Sequence, residues 1–569
     1  MRGPLFPSRP AVAAGLPGVD LAGVAADLMR QNRLAEAERL FRTLADQDPR
    51  NADALHALGL IAHRMGRGDQ AVELLTRALR AAPGSPAILC NRGLVQASRE
   101  RFKEALADYD RALALNPLFA EAAFNRANAL GRMGRLPLAL QAYDKAISID
   151  PGRAPWRAAR AELLLRMERQ EEAVTGFRDA VGLDPGLAAA HAQLGDLLLR
   201  RGELDAAAEA LSQALALNPA DAVSAFNLGN AHRRLGRIEA AVESFGRAVE
   251  IDPVLAMAHQ NRAVCRMLLG DWAGGFAEYA WRHRCPGPEL RDYPQPAWDG
   301  SQDLAGRTLF IYPELFLGDA IQFARYARLA EDRGAQVVFA APRALHGLLS
   351  TLSATIRLIG RDDPPPPFDL HCALMDLPAA FGVTPADVKL SEPYLSADPG
   401  RVAAWRGRIG PAGLRIGVCW QGSTRPGAET LGRSFALADL APLAALPGVR
   451  LISLQKHDGL DQLDRLPPGM AVETLGPDFD AGADAFLDTA AAMQACDLVV
   501  TADTAVAHVA GATGVRTWLP LPATPDWRWL LGRDDTPWYP RMRLFRQQAR
   551  GAWGPVFTAM AAELSKDLS

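Results

Sequence analysis

The chain has 569 residues, 49% of them hydrophobic, which is enough for about three to four domains. Its formal net charge is −3, which excludes a strongly positive overall electrostatic field that would attract nucleic acid or an anionic membrane. No apolar window is long enough to span a bilayer, and six cysteines without a CxxC pair argue against a disulfide framework or a zinc site. We therefore expect a soluble protein of the reducing cytoplasm.

The N-terminal segment, residues 1–17, is interrupted by four prolines. It lacks the apolar stretch that forms the centre of a signal peptide. We expect this segment to be a disordered leader.

A strictly periodic repeat fills the first half of the chain. Prolines recur every 34 residues, and glycine or alanine recurs at fixed places between them. This period is typical of the tetratricopeptide repeat (TPR), in which proline ends the second helix of each pair and small residues let paired helices approach closely. The prediction is an α-solenoid, a TPR superhelix of about eight repeats, over residues 18–289. The periodic prolines are Pro49, Pro83, Pro117, Pro151, Pro185, Pro219 and Pro253.

The eighth repeat departs from the pattern. It begins normally at residue 256, but its second helix is rich in aromatic residues. Terminal repeats of solenoids are usually atypical because they cap the exposed end or dock onto a neighbour. Phe276, Tyr279 and Trp281 are therefore expected to attach the repeats to the next domain.

Amide side chains recur on the first helix of the repeats, at two positions three residues apart that share a helix face. In TPR superhelices the first helix lines the concave groove, where a row of amides can donate to and accept from a peptide backbone. Each such bond contributes only ~0.5–1.5 kcal/mol, so the row predicts broad binding of an extended acceptor segment. The alternative is that each amide bonds to the neighbouring helix. The amides are Asn91, Asn125, Asn128, Gln193, Asn227, Asn230 and Asn261.

Beyond residue 289 the period disappears, and short apolar runs alternate with helical stretches. This alternation is typical of βαβ units and parallel sheets. It runs over residues 290–400, pauses at a linker-like segment, and resumes over residues 401–569. We expect two Rossmann-like lobes that bind ligands at the carboxyl ends of their strands. The predicted strands are 308–313, 336–342, 414–420, 449–455, 497–502 and 515–521.

Two strand-to-helix turns carry residues suited to chemistry. Gly318 and Asp319 open a helix after the first predicted strand, where an Asp can act as a base on a hydroxyl or simply cap the helix. Asp503, Thr504 and His508 lie at a later turn of the kind that receives phosphates. Because all these residues follow strands, we expect them to face a shared ligand.

Two further loops carry cations that can bind phosphate. Arg425 and Arg433 lie in the loop after the strand at 414–420, with Glu429 between them. Lys456 follows the strand at 449–455. Four polar loops at successive strand ends, on both lobes, together predict a nucleotide-type ligand.

At these residues the chain resembles a known family. Residues 300–569 look like two-lobed (GT-B) glycosyltransferases of the lipopolysaccharide heptosyltransferase type, through the TADTAVAH segment with its DTxxxH core and the LGD segment. The whole chain is similar to bacterial TPR glycosyltransferases, through segments such as GDWAGGFAEYAWRHR, LGDAIQFARY, FDLHCALMDLP and PDWRWLLGRDDTPWYPRMRLFRQ. Some members of that group glycosylate flagellin in the cytoplasm with nonulosonic acids such as pseudaminic acid.

The resemblance implies a role for each matching residue. Asp319 would be the base that activates the acceptor, and Gly318 before it would contact the donor. Asp503, Thr504 and His508 would hold the phosphate and the sugar of the donor. Arg433 would neutralise the charge of the phosphate, supported by Lys456. Asp488 and Thr489 would lie beside the nucleoside.

The chain also departs from the family. Leu315 and Phe316 replace a polar residue and a glycine beside the expected base, and the run of Asn, Asp and Arg before Ser434 is missing. Asp478-Phe479-Asp480 is a D-x-D triplet, but it lies in a polar loop rather than in a manganese-binding setting. We therefore expect no metal and no cofactor apart from a nucleotide-sugar co-substrate.

These observations favour a protein O-glycosyltransferase whose TPR array binds an acceptor protein, with flagellin as the best single candidate and a link to flagellum assembly. One alternative is a non-catalytic TPR adaptor or chaperone with a degenerate transferase domain. Another is a transferase that acts on a surface glycan, which the amide row disfavours because a glycan has no extended peptide backbone.

Overall fold

The structure is a computed structural model that describes residues 20–286, 291–314, 316–386, 392–424 and 432–568. The predicted leader, residues 1–17, lies outside these ranges. The contacts divide the chain into two compact units, residues 1–219 and 220–569. Within the described ranges, no helix has the length and apolarity needed to cross a membrane.

The first unit is an α-solenoid of six helix hairpins, as the 34-residue period predicts. Paired helices pack closely where the repeat places glycine: a Cβ on Gly93 would lie 2.7 Å from the ring of Tyr109. The helices are α1 (Leu21–Arg30), α2 (Leu34–Gln47), α3 (Ala52–Arg64), α4 (Gly68–Ala81), α5 (Pro86–Ser98), α6 (Phe102–Leu115), α7 (Ala120–Arg132), α8 (Leu136–Ile149), α9 (Ala154–Arg166), α10 (Gln170–Leu183), α11 (Ala188–Arg201) and α12 (Leu204–Leu217).

The second unit begins with two more hairpins of the same kind and continues into an α/β region. The hairpin helices are α13 (Ala222–Arg234), α14 (Ile238–Ile251), α15 (Ala256–Leu268) and α16 (Trp272–Tyr279). The helices of the α/β region are α17 (Leu317–Asp332), α18 (His346–Leu349), α19 (Leu377–Ala380), α20 (Pro399–Ile409), α21 (Ala441–Ala444), α22 (Leu487–Gln494), α23 (Ala505–Ala512) and α24 (Trp553–Leu568). The fold class, an α-solenoid followed by two α/β lobes, is confirmed.

Two parallel sheets form the centre of the α/β region. The first has four strands in the order β3-β2-β1-β4: β1 (Thr308–Tyr312), β2 (Gln336–Ala341), β3 (Arg357–Gly360) and β4 (Leu370–Ala373). The second has six, in the order β10-β9-β8-β5-β6-β7: β5 (Leu414–Cys419), β6 (Val449–Ser453), β7 (Val472–Thr474), β8 (Leu498–Thr501), β9 (Thr517–Leu521) and β10 (Met542–Arg546). The six predicted strands are confirmed, within a few residues at their ends.

The last repeat packs on the α/β region through an aromatic seam. Trp272 stacks on Trp538 with ring centroids 4.6 Å apart, and Phe276 meets Trp527 edge-to-face at 5.4 Å. The expected contact by Phe276 is therefore present. Trp281 instead stacks on His259 at 3.9 Å, so it packs within its own repeat. One apolar cluster includes α14–α16, the helix α17 and strands of both sheets.

Candidate active site between the two sheets

Asp319 lies in the first turn of α17, which follows β1. One of its carboxylate oxygens accepts a hydrogen bond of 3.1 Å from the backbone N–H of Phe316. The helix begins at Leu317, so Asp319 is its third residue and not the N-cap that the simpler interpretation of the sequence expects; its side chain bonds back to the backbone of the N-cap, Phe316. It is also buried, which a surface cap is not.

Arg528 holds the other oxygen of Asp319. This arginine lies in a short 3₁₀ turn beyond β9, and its Nη2 donates to Asp319 Oδ1 at 2.5 Å. Its Nε donates to Gln322 on α17 at 2.6 Å, and its Nη1 donates to Asp526 at 2.9 Å. Arg528 therefore joins the helix that follows β1 of the first sheet to the segment that follows β9 of the second sheet.

Burial raises the pKa of the Asp319 carboxyl above its ordinary value, even though the charge of Arg528 and the bond from Phe316 lower it. Asp526 and Glu314 add to the upward shift by charge repulsion. A carboxylate in a dry site with a raised pKa is a better proton acceptor than an exposed one. Its partner Arg528 has a raised pKa and stays charged.

Asp503 ends the turn after β8 and is buried. Burial, followed by the charge of Asp526, raises its pKa to about 6, although Arg433 and Arg528 lower it. Its Oδ2 atom has no hydrogen-bond partner among the described residues. A buried carboxylate with an unpartnered oxygen costs folding free energy, and such groups cluster at functional sites.

His508 lies on α23 and faces the start of α17. A Cβ built on Gly318 would lie 2.9 Å from His508 Cδ2, so only glycine permits this approach. The Nδ1 atom of the His508 ring lies 2.9 Å from the hydroxyl of Tyr539. Burial, and then the charges of Arg528, Arg325 and Arg433, hold the pKa of His508 well below its ordinary value, so the ring is neutral.

Two more of the predicted donor residues, Arg433 and Thr504, lie beside Asp503 and His508. Arg433 is half-buried, and its charge acts on both Asp503 and His508. Thr504 caps α23 by accepting from the backbone N–H of Val506 at 3.2 Å. The structure therefore brings six predicted residues together: Gly318, Asp319, Arg433, Asp503, Thr504 and His508.

Three other predicted residues form a second cluster at the turn that contains Asp480. Lys456 donates to the backbone carbonyl of Phe479. Asp488 accepts from Arg401 at 2.6 Å, and the Thr489 hydroxyl donates to Asp480. In the part of the chain described, no hydrogen bond or ion pair joins this cluster to Asp319 or Asp503.

The D-x-D triplet belongs to the second cluster. Asp478 pairs with Arg408, and Asp480 accepts from the backbone N–H groups of Asp488 and Thr489 at 2.8 and 3.4 Å. Both carboxylates thus serve local hydrogen bonds.

A cavity of about 470 Å³ opens at the carboxyl ends of β1, β2 and β3, beside the start of α17. Phe316, next to the capping contact of Asp319, lines it with 74% of its surface exposed. The remaining lining residues include two arginines and two aspartates: Leu317, Pro342, Arg343, Gly360, Arg361, Asp362 and Asp363. Leu315, Arg425 and Glu429 lie outside the described residues.

The amides of the first unit are half-buried or exposed. Asn91 Nδ2 lies 2.7 Å from His56 Nε2, and Asn125 Nδ2 lies 3.6 Å from Cys90 Sγ, so both reach the preceding repeat. Asn128 accepts from the Tyr143 hydroxyl, and Gln193 is exposed. Within the described residues, the Oδ1 atoms of Asn91 and Asn125 receive no donor. These two amides bond to the neighbouring helix and keep an acceptor.

The amides of the second unit follow the same arrangement. Asn261 Nδ2 donates to Asn230 Oδ1 at 3.1 Å, which joins α15 to α13. Asn227 is half-buried. Groove binding by these side chains stays a prediction.

Sequence reasoning missed the residues that link the two lobes. Arg528, Gln322, Arg325 and Tyr539 are buried and contact the predicted site residues or their neighbours. The segment PDWRW carries an unusual density of charge and indole rings, but it lies more than 200 residues from Asp319. This segment contributes to the family resemblance, but no role was predicted for Arg528, because its contact with Asp319 could not be identified from the sequence.

Comparison with protein families supports the repeats. Models described as tetratricopeptide repeat match residues 25–86, 90–154 and 222–253, and a TPR repeat model matches residues 195–236. The chain therefore carries a TPR array.

Protein FlbA of Caulobacter vibrioides is 30% identical over 340 residues, which are 54% of this chain and 55% of that protein. The chain thus spans about half the length of the curated relative it matches. Among solved structures, YrrB, described as a TPR protein with an unusual peptide-binding site, is 24% identical over 33% of this chain and 96% of its own, with a TM-score of 0.30. A structure of MamA is 23% identical, over 28% of this chain and 95% of its own, with a TM-score of 0.27.

Proposed function

We propose that the chain is a metal-independent protein O-glycosyltransferase. Its repeats bind an acceptor protein, and its α/β region transfers a sugar from a nucleotide-sugar to a Ser or Thr hydroxyl. The observation that carries the proposal is the close approach of Gly318, which precedes Asp319 after β1 of one sheet, to His508, which follows β8 of the other. Loops that follow parallel strands are where open α/β sheets bind ligands.

In the proposed transfer, each side chain of the site has its own role. Asp319, buried and with a raised pKa, accepts the hydroxyl proton as the oxygen attacks the anomeric carbon. Arg433 and the start of α23 face the phosphate, where charge develops as the sugar leaves. Asp503 and neutral His508 offer hydrogen bonds to the sugar and its phosphate.

The acceptor and donor follow from the resemblance alone. Flagellin is the proposed acceptor, a nonulosonic acid such as pseudaminic acid is the proposed sugar, and the cytoplasm is the proposed compartment. The repeats supply the protein-binding part: amides such as Asn91 and Asn125 keep a carbonyl oxygen that can accept from a peptide N–H.

A TPR adaptor without catalysis is the rival function. The ion pair between Asp319 and Arg528 favours it, because a base neutralised by a partner is a weaker proton acceptor. An adaptor would bind its client with no nucleotide.

The test uses the full chain. Calorimetric titration with UDP, GDP, ADP and CMP would be followed by incubation with the matching nucleotide-sugars and purified flagellin, read as intact mass. The proposal expects one nucleotide to bind and flagellin to gain whole sugar units. Flagellin binding without nucleotide binding or mass gain would support the adaptor instead.

A further inference from the structure

Arg528 lies between the proposed base and the proposed donor residues. It bonds to Asp319 and Gln322 on α17 and to Asp526 on its own segment. Its charge also acts on Asp503 and His508 across the site. No other residue in the described ranges makes hydrogen bonds to both Asp319 and Asp526.

The guanidinium of Arg528 has more N–H donors than these three bonds use. It carries five N–H groups, and the bonds to Asp319, Gln322 and Asp526 use three of them. The other two have no acceptor among the described residues. A planar guanidinium with free N–H groups in a buried site is well suited to a phosphate.

The ion pair with Asp319 is also exchangeable. Its two side chains are about nine-tenths buried, so the cost of desolvation offsets much of their attraction. An incoming phosphate would compete for the same guanidinium without leaving a buried charge unpaired on the arginine.

We propose, building on the proposed transferase function, that Arg528 exchanges partners during the reaction: it holds Asp319 until the donor phosphate engages its free N–H groups, and the exchange releases Asp319 to act as the base. The acceptor oxygen then bonds to the anomeric carbon, and its proton moves to Asp319. The bond from that carbon to the phosphate oxygen breaks, and its electron pair leaves with the phosphate. Arg528 stabilises the charge that develops there.

The exchange couples donor binding to base strength. Arg528 is the cation that lowers the pKa of Asp319; Asp526 and Glu314 raise it, and Tyr279 of α16 faces the same pair. When the phosphate shares the charge of Arg528, Asp319 becomes a stronger base. The donor should therefore bind before the acceptor.

The test compares full-length Arg528→Gln, Arg528→Lys and Asp526→Asn with the matched control Arg533→Gln, whose arginine pairs with Asp535. In Arg528→Gln, we expect nucleotide affinity to fall about 10-fold and kcat about 100-fold. The acid limb of the pH–rate profile should move to higher pH, because Asp319 loses the cation that lowers its pKa. In Asp526→Asn the limb should move to lower pH.

Arg528→Lys should recover part of the nucleotide affinity, since the charge remains. If Arg528→Gln fails to fold, Arg528→Lys and Asp526→Asn still test the exchange of partners. Unchanged nucleotide affinity and an unmoved acid limb in the Arg528 variants, or an unmoved limb in Asp526→Asn, would overturn the exchange while leaving the transferase standing. Nucleotide binding that depends on Arg528 without any sugar transfer would keep Arg528 as a phosphate ligand and remove the transferase function.

Discussion

Asp503 lowers the free energy of unfolding at neutral pH, and it lies in the candidate site. It is buried, one of its oxygens lacks a partner in the described part of the chain, and its pKa is raised to about 6. A residue that destabilises the fold where a ligand is expected is typical of a functional position.

Asp503→Asn should stabilise the protein at neutral pH. The folded state holds a proton on Asp503 up to about pH 6, whereas the unfolded chain releases it near 3.8, so this carboxyl lowers stability as the pH rises through that window. Removing the charge should raise the free energy of unfolding at pH 7.5 by about 3 kcal/mol, since the shift from 3.8 to about 6 is about two pKa units and each unit corresponds to about 1.4 kcal/mol. Urea melts at pH 5 and 7.5 would measure it.

Asp497→Asn is the control with the opposite sign. Arg415 lowers the pKa of Asp497, so this carboxylate stabilises the fold above its unfolded pKa. Its loss should destabilise the protein at pH 7.5. Equal losses of stability in both variants would contradict the assignment for Asp503.

The sequence predicted the residues on strand ends but not their partners. Asp319 and His508 follow apolar runs, so their place at a sheet edge could be inferred from local pattern. Arg528 lies in an irregular segment, and its contact with Asp319 depends on how two lobes pack. Such long-range contacts have no periodic signal in a single sequence.

At the level of elements, the start of α17 and the ring of His508 on α23 approach as closely as glycine allows. Gly318→Ala would place a Cβ 2.9 Å from His508 Cδ2, so one of the two elements must shift. We expect transfer to fall about 100-fold, as for a displacement of about 1 Å at a reacting centre. Gly407→Ala on α20, where nothing lies within 4 Å, is the matched control and should leave transfer unchanged. Full activity of Gly318→Ala would show that the close approach of Gly318 to His508 is not needed for catalysis.

The strands that sequence reasoning missed are the outermost ones. β3 and β4 bound the first sheet, and β7 and β10 bound the second. Central strands of parallel sheets are covered on both faces and read as apolar runs, which is why β1, β2, β5, β6, β8 and β9 were predictable. Edge strands such as Val472–Thr474 are short and partly exposed, so their apolar signal is weak.

At the scale of the whole molecule, capture of the acceptor and transfer of the sugar should be separable. Changing Asn91, Asn125, Asn227 and Asn261 together to Ala removes carbonyl oxygens proposed to accept from the acceptor backbone. We expect flagellin affinity to fall at least 10-fold, at ~0.5–1.5 kcal/mol for each bond, with nucleotide binding unchanged. Binding would be measured by calorimetry.

The control for this change is a variant with exposed amides replaced on second helices: Gln141→Ala, Gln170→Ala and Gln213→Ala. Because some of the Asn side chains also bond to the preceding repeat, melting curves of both variants are needed. Unchanged flagellin affinity in a folded Asn variant would rule out the amide row as the binding surface.

The role of Asp319 as the base is best tested by the intact mass of flagellin from cells that carry the wild-type chain, Asp319→Asn, or the control Asp332→Asn. Asp332 is an exposed residue at the other end of α17, paired with Arg328. We expect flagellin to carry whole sugar units in cells with the wild type or the control, and to lack them in cells with Asp319→Asn. Identical glycan-bearing masses in all three strains would contradict Asp319 as the base, and unmodified flagellin in all three would contradict flagellin as the acceptor.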